Sequence, residues 1–137
     1  MRKKDVINAV NTLAGVKINK IKNDKVKFTL VADYRALRKA SREYEQEQRD
    51  IIDKFRDDFA DVQEEVQTLR AAGKPVKGHD EFLKAERDTN RILLSIAEEE
   101  CSIEGLHMIS LNDLVTAIAD SDLSMEDISN LDGIIIE

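Results

Sequence analysis

A single cysteine, Cys101, excludes an intramolecular disulfide and favours a reducing compartment. One proline and five glycines are too few for the many turns of a sandwich or barrel. Tryptophan is absent and aromatic residues make up only 4%. No apolar run approaches the ~20 residues that span a bilayer. No apolar stretch follows Met1-Arg2-Lys3-Lys4-Asp5, so a secretory signal is not expected and a cytoplasmic location is. Lys and Arg are missing altogether from residues 92–137.

Charge is what the chain has in abundance. Charged residues reach 36% against 42% hydrophobic, a balance that suits long helices with solvated faces. A length of 137 residues fits one domain, residues 1–137, with a core that buries roughly two-thirds of the unfolded surface. The net charge of −7 is unevenly distributed. Residues 1–27 hold eight bases and two acids, whereas residues 92–137 hold eleven acids. Either the two ends fold together and partly neutralise, or the acidic part meets a basic partner.

Val6, Ile7, Val10 and Leu13 lie at helical spacing ahead of Gly15, which predicts a short first helix. Residues 16–28 alternate apolar and basic residues around Asn23-Asp24 and read equally as a small β-hairpin or a basic connector. From Leu30 a seam runs through Tyr34, Leu37, Ser41, Tyr44, Gln48, Ile51 and Phe55 in steps of three and four. A stutter carries it to Phe59, and Val62, Val66 and Leu69 continue it. With no Pro or Gly in between, a long helix is expected over about 30–72, roughly 65 Å at 1.5 Å per residue. Gly73 and Pro75 end it, and Asp80 starts a second helix at about 80–98. The short loop between them, residues 71–79, predicts an antiparallel helical hairpin in which Phe59, Val62 and Val66 face Phe82, Ile92 or Leu93. The second helix is too short to cover the seam over residues 30–50.

The acidic C-terminal part, 99–137, alternates at Cys101 and Ile103 as a short strand would. Ser110 and Ser124 each precede an Asp at the third helical position and stand between hydrophobic staple residues, so both are expected to cap short helices. Gly133 ends the second of these, ahead of the apolar tail Ile134-Ile135-Ile136.

Chemistry is harder to find. His79, His107 and Cys101 lack zinc spacing. Asp120, Asp122, Ser124 and Glu126 mimic the start of a calcium loop, but Met125 and Leu131 stand where glycine and glutamate are needed. Cys101 reads as a small hydrophobe before it reads as the thiol of a Cys–His pair with His107. Adjacent acids such as Asp57-Asp58 and Glu98-Glu99-Glu100 point in different directions on a helix and make poor catalytic pairs. The glycines are isolated and form no phosphate loop. Lys17, Lys20, Lys22, Lys25 and Lys27, with Phe28 beside them, form a basic strip that could contact phosphates.

In order, these features resemble a family of short phage and prophage proteins of unknown function from low-GC Gram-positive bacteria. The resemblance is carried by Lys20-Ile21-Lys22-Asn23 with Lys27-Phe28, by Tyr34-Arg35-Ala36-Leu37, and by Gly73-Lys74-Pro75-Val76 followed by Phe82. Leu123-Ser124 and Leu131-Asp132-Gly133-Ile134 complete it. It implies a phage-encoded, non-enzymatic accessory protein of the bacterial host cytoplasm, and it brings no catalytic residues.

The expected fold is mostly α, with a long central helix in an antiparallel helical hairpin, short terminal helices, and one small β-hairpin or strand. The expected function is a non-enzymatic protein-interaction or assembly role. Its candidate surface is Tyr34, Leu37, Tyr44, Gln48 and Ile51, and its partner another protein or a second copy. The alternative is a nucleic-acid-associated regulator that uses Lys17, Lys20, Lys22, Lys25 and Lys27. No cofactor, metal, membrane or small-molecule substrate is expected.

Overall fold

The computed structural model describes residues 1–76 and 78–136, which leaves Lys77 of the 71–79 loop and the terminal Glu137 outside the described residues. The described residues form six α-helices and two short strands, a mostly α fold. In chain order these are α1 (Lys3–Ala14), α2 (Asp24–Asp58), α3 (Ala60–Ala71), α4 (Asp80–Glu98), β1 (Ile109–Ser110), α5 (Leu111–Ala117), α6 (Met125–Ser129) and β2 (Ile135–Ile136). They fall into two compact units, Met1–Tyr44 with Glu98–Glu137, and Glu45–Ala97. No described helix is long and apolar enough to cross a membrane.

The long helix differs from its expected bounds at both ends. It begins at Asp24 because the Asn23 side chain accepts the Val26 backbone N–H at 3.2 Å, an N-cap that uses the Asn-Asp pair. Residues 16–28 are therefore no hairpin: a 3₁₀ turn at Ile18–Lys20 leads directly into α2. At the other end the helix stops at Asp58, and α3 resumes at Ala60. Phe59 leaves the helical region, at φ −128° and ψ 28°. The sequence has its stutter at this point, where an unbroken helix would carry the apolar seam off its face. The break sets Phe59 among Phe55 and Phe82, with ring centroids 5.3–5.6 Å apart in tilted and edge-on arrangements.

In the unit Glu45–Ala97, the chain turns after α3 and returns as α4, the helical hairpin. Gly73, at φ +67°, closes α3: its N–H bonds to Arg70 O, and the Lys74 N–H reaches back to Leu69 O. That paired pattern is a Schellman cap, and the left-handed residue it requires is glycine. Phe82 meets Phe55 and Phe59, Arg70 forms a two-point ion pair with Glu86, and His79 lies 3.4 Å from Glu65. Val66, Phe82 and Ile96 are buried, while Ile92 is half exposed and serves no seam.

In the unit Met1–Tyr44 with Glu98–Glu137, one core joins Val6, Ala9 and Leu13 of α1 to Leu30 and Leu37 of α2 and to Leu114, Leu131 and Ile134. Along α2 the buried positions are Val26, Leu30, Asp33, Leu37, Ser41 and Tyr44, a stripe with the expected three- and four-residue steps. Ser110 and Ser124 both cap their helices through the N–H of Asp113 and Asp127. At Ser124 the Asp127 carboxylate returns the bond, completing a capping box. Ser124 and Glu126, two of the residues that mimic a calcium loop, are thus used in a helix start. The tail Ile134-Ile135-Ile136 turns as a 3₁₀ segment and then pairs parallel with β1, Ile109 opposite Ile135 and Ser110 opposite Ile136. The strand expected near Cys101 is instead an isolated bridge between Arg2 and Glu100.

Candidate functional site

Three places bring together residues with chemical potential, all in the unit that holds both chain ends. At the first, the basic start of the chain meets the acids Glu98–Glu100. The N-terminal amine pairs with Glu100 at 3.0 Å, Arg2 with Glu98 at 2.9 Å and Lys3 with Glu99 at 2.8 Å, and Lys4 also reaches Glu98. Lys4 holds the Glu98 carboxyl below its usual range, with help from Arg2. The Lys3 and Cys101 backbone N–H groups bond to Glu99 O and Met1 O. This cluster ties the start of the chain to Glu98–Glu100.

The second is Asp33, wholly buried on α2. One carboxylate oxygen accepts the His107 backbone N–H at 2.6 Å. The other has no hydrogen-bond partner among the described residues. Burial pushes its carboxyl above the usual range, partly offset by the bond from His107 and by the charge of that side chain. Asp33 pins the segment before β1 to the long helix. Cys101 is half-buried and packs on the core, while the His107 side chain is exposed, so the two serve different surroundings. Among the described residues no group of three or more His, Cys, Asp or Glu could hold a metal ion.

The third is an apolar groove of about 280 Å³ between the end of α1 and the start of α2, floored by Leu13, Val16, Ile18, Leu30, Val31 and Tyr34. Ile18 and Val31 are each 38% exposed. Phe28, three residues before Val31 and so on the same helix face, is 70% exposed. Cations border it: Lys17 lies between Val16 and Ile18, Lys27 and Arg35 stand one turn either side of Val31, and Arg38 lies 5.9 Å from the centre of the Tyr34 ring.

The residues expected to form an interaction surface separate here. Leu37 and Tyr44 are buried in the chain's own core and present nothing to a partner. Tyr34, Gln48 and Ile51 are half-buried, and of these Tyr34 alone borders the groove. The seam over residues 30–37 is covered from within by α1 and the C-terminal part, which removes the argument that a partner must cover it there. The lysine strip also divides. Lys20 and Lys22 line a cavity of about 440 Å³ together with Asp113 and Asp120. Lys17 and Lys25 are exposed and Lys27 half-buried, and none of the three forms an ion pair among the described residues. Sequence reasoning missed the groove because Ile18 and Val31 fall outside the seam. An exposed Phe28 off the buried stripe was the available signal.

Comparison with known proteins finds no matching family model, no matching curated protein and no matching solved structure.

Proposed function

We propose that this chain is a non-enzymatic protein-interaction module whose working surface is the groove at Ile18, Phe28, Val31 and Tyr34. The observation that carries the reading is Phe28, 70% exposed on α2 one turn before Val31, which lines the apolar groove. An aromatic ring left in water costs solubility and does nothing for the fold. Large apolar side chains beside a concave floor and a charged rim are what a docking surface contains. The resemblance to short phage proteins agrees with an accessory role of this kind and adds no residue to it.

The test places a photo-crosslinking phenylalanine analogue at position 28 and, as a control, at exposed Arg87 on α4. Protein adducts at 28 that are absent at 87 support the reading. Absence of any protein adduct at 28 refutes it.

A second reading is supported by Lys17, Lys25 and Lys27, which form no ion pair among the described residues, the last two within three residues of Phe28. Lysines beside an exposed ring suit a single-stranded nucleic acid, with phosphates on the cations and a base on Phe28. Mobility shift at low salt tests it. A shift that survives replacement of these three lysines excludes the strip as its cause.

A further inference from the structure

We propose that Asp33 and the backbone N–H of His107 form a pH-operated latch, which holds residues 102–107 on α2 while the carboxyl is neutral and releases them when it ionises. The latch is independent of the groove at Phe28. The segment it holds runs from Cys101, whose N–H bonds to Met1 O, to the start of β1. It contains no helix or strand and turns at Gly105, at φ +78°. Among the described residues, the one hydrogen bond between residues 102–107 and another element is that from the His107 N–H to Asp33, at 2.6 Å. α2, by contrast, runs unbroken from Asp24 to Asp58 and anchors Leu30 and Leu37 in the core. If the contact fails, the segment yields and the helix stays.

The carboxyl is wholly buried, and its second oxygen has no hydrogen-bond partner among the described residues. Ionised, it places a full charge in the interior with a single N–H to balance it, at far greater cost than the neutral acid. The surroundings do not supply the missing balance. One turn away on α2, Thr29, Leu30, Ala36 and Leu37 are uncharged. So are the core residues Val6, Ala9 and Leu13 of α1 and Leu114, Leu131 and Ile134 of the C-terminal part. On the segment itself, the charge of His107 acts on Asp33 but offsets only part of the effect of burial, so the carboxyl stays above its usual range. Further along, Lys39 and Glu43 of α2 line a groove with Glu104, one cation against two acids. Opening residues 102–107 brings the unpartnered oxygen to water without unfolding α2, and ionisation favours the state that solvates the charge. Half-buried Ile103 and Leu106, which pack on the core, come away with the segment.

Amide hydrogen exchange of the full chain, corrected for the intrinsic pH dependence of exchange, tests the latch at the His107 N–H. Its opening constant should be flat below about pH 4, rise by up to about tenfold per pH unit above that, and level off once the folded carboxyl has ionised. At each pH it should exceed by at least about tenfold the constants at Val6 and Leu30, which report opening of the core. In Asp33→Asn the constant at His107 should not vary with pH. In His107→Gln, which keeps the backbone N–H, the rise should persist. A flat wild-type profile overturns the proposal, and so does a rise that survives in Asp33→Asn. A rise that vanishes in His107→Gln overturns it by placing the switch on the imidazole. A constant at His107 equal to those at Val6 and Leu30 overturns it as well, since the segment then opens only with the whole fold. Should circular dichroism show Asp33→Asn to be unfolded, the wild type decides. The NMR titration midpoint of the Asp33 carboxyl carbon must then fall where the rise at His107 levels off, and a midpoint at or below the ordinary aspartate range overturns the latch.

Discussion

Single residues decide this fold where they are most buried. Leu37 is wholly inside, packed where α2 meets α1 and the C-terminal part, and Leu37→Ala should cost about 2–5 kcal/mol in a urea melt, the range for a leucine cavity. A near-zero cost would mean that the core is not closed there. Asp33 makes the opposite kind of contribution. Its carboxyl is raised in the folded state, so the native protein holds a proton that the unfolded chain releases. Stability from this group is complete below the ordinary aspartate range, from about pH 4 downward, and is lost as pH rises through the raised value. Asp33→Asn keeps an acceptor for the His107 N–H and removes the titration. The difference in stability between Asp33→Asn and wild type should therefore change with pH in that window and level off above it. Glu86 and Glu98 are held below their usual range by Arg70 and Lys4 and act in the contrary sense, losing stability as pH falls. They are common to both proteins and cancel in the comparison. A pH-independent difference would show that the Asp33 carboxyl binds its proton equally well in the folded and the unfolded protein.

Elements form where local chemistry is unambiguous, and there the sequence was readable. Ser124 caps α6 and Asp127 answers it, so Ser124→Ala should destabilise by about 1 kcal/mol in thermal or urea melts. An unchanged midpoint would mean that the five residues of α6 are held by packing alone. Ser110, Ser124 and Gly73 could be placed because caps and left-handed stops are decided within four or five residues of chain. The stutter at Phe55–Phe59 was visible too, but not that it would break the helix: that depends on Phe82, more than twenty residues further on. Asn23 as a cap was obscured by a basic stretch that mimics strand alternation. The β1–β2 pairing escaped altogether, since two residues opposite two others 26 positions away leave no periodicity to read. The groove was hidden for a similar reason. Leu13 and Val16 come from one segment and Leu30, Val31 and Tyr34 from another, so their meeting is a property of the tertiary fold. The clasp of Met1–Lys4 on Glu98–Glu100 was anticipated by charge, while its partners are fixed by the tertiary fold.

At the scale of the whole molecule, apolar burial is shared unequally between the two units. Fourteen of the described buried hydrophobic residues belong to the unit with both termini, and three, Val66, Phe82 and Ile96, to the unit Glu45–Ala97. Few buried contacts and many exposed backbone bonds lower the free energy at which a region opens. The hairpin is thus the part that should open first, and hydrogen exchange measures this directly. Amides of α3 and α4 should exchange faster than those of α1 and of the Leu30–Leu37 turns of α2. Val66 is the most buried side chain of that unit, at 1% exposure, so Val66→Ala removes a large share of what holds it. It should cost about 1–3 kcal/mol in α3 and α4 protection, on the scale of methyl deletions from a core. Protection of Val6, Leu13 and Leu30 should change little, because their contacts lie in the other unit. Equal loss of protection across the whole chain would instead mean that α2, unbroken across the boundary at Tyr44, couples the units into a single cooperative transition.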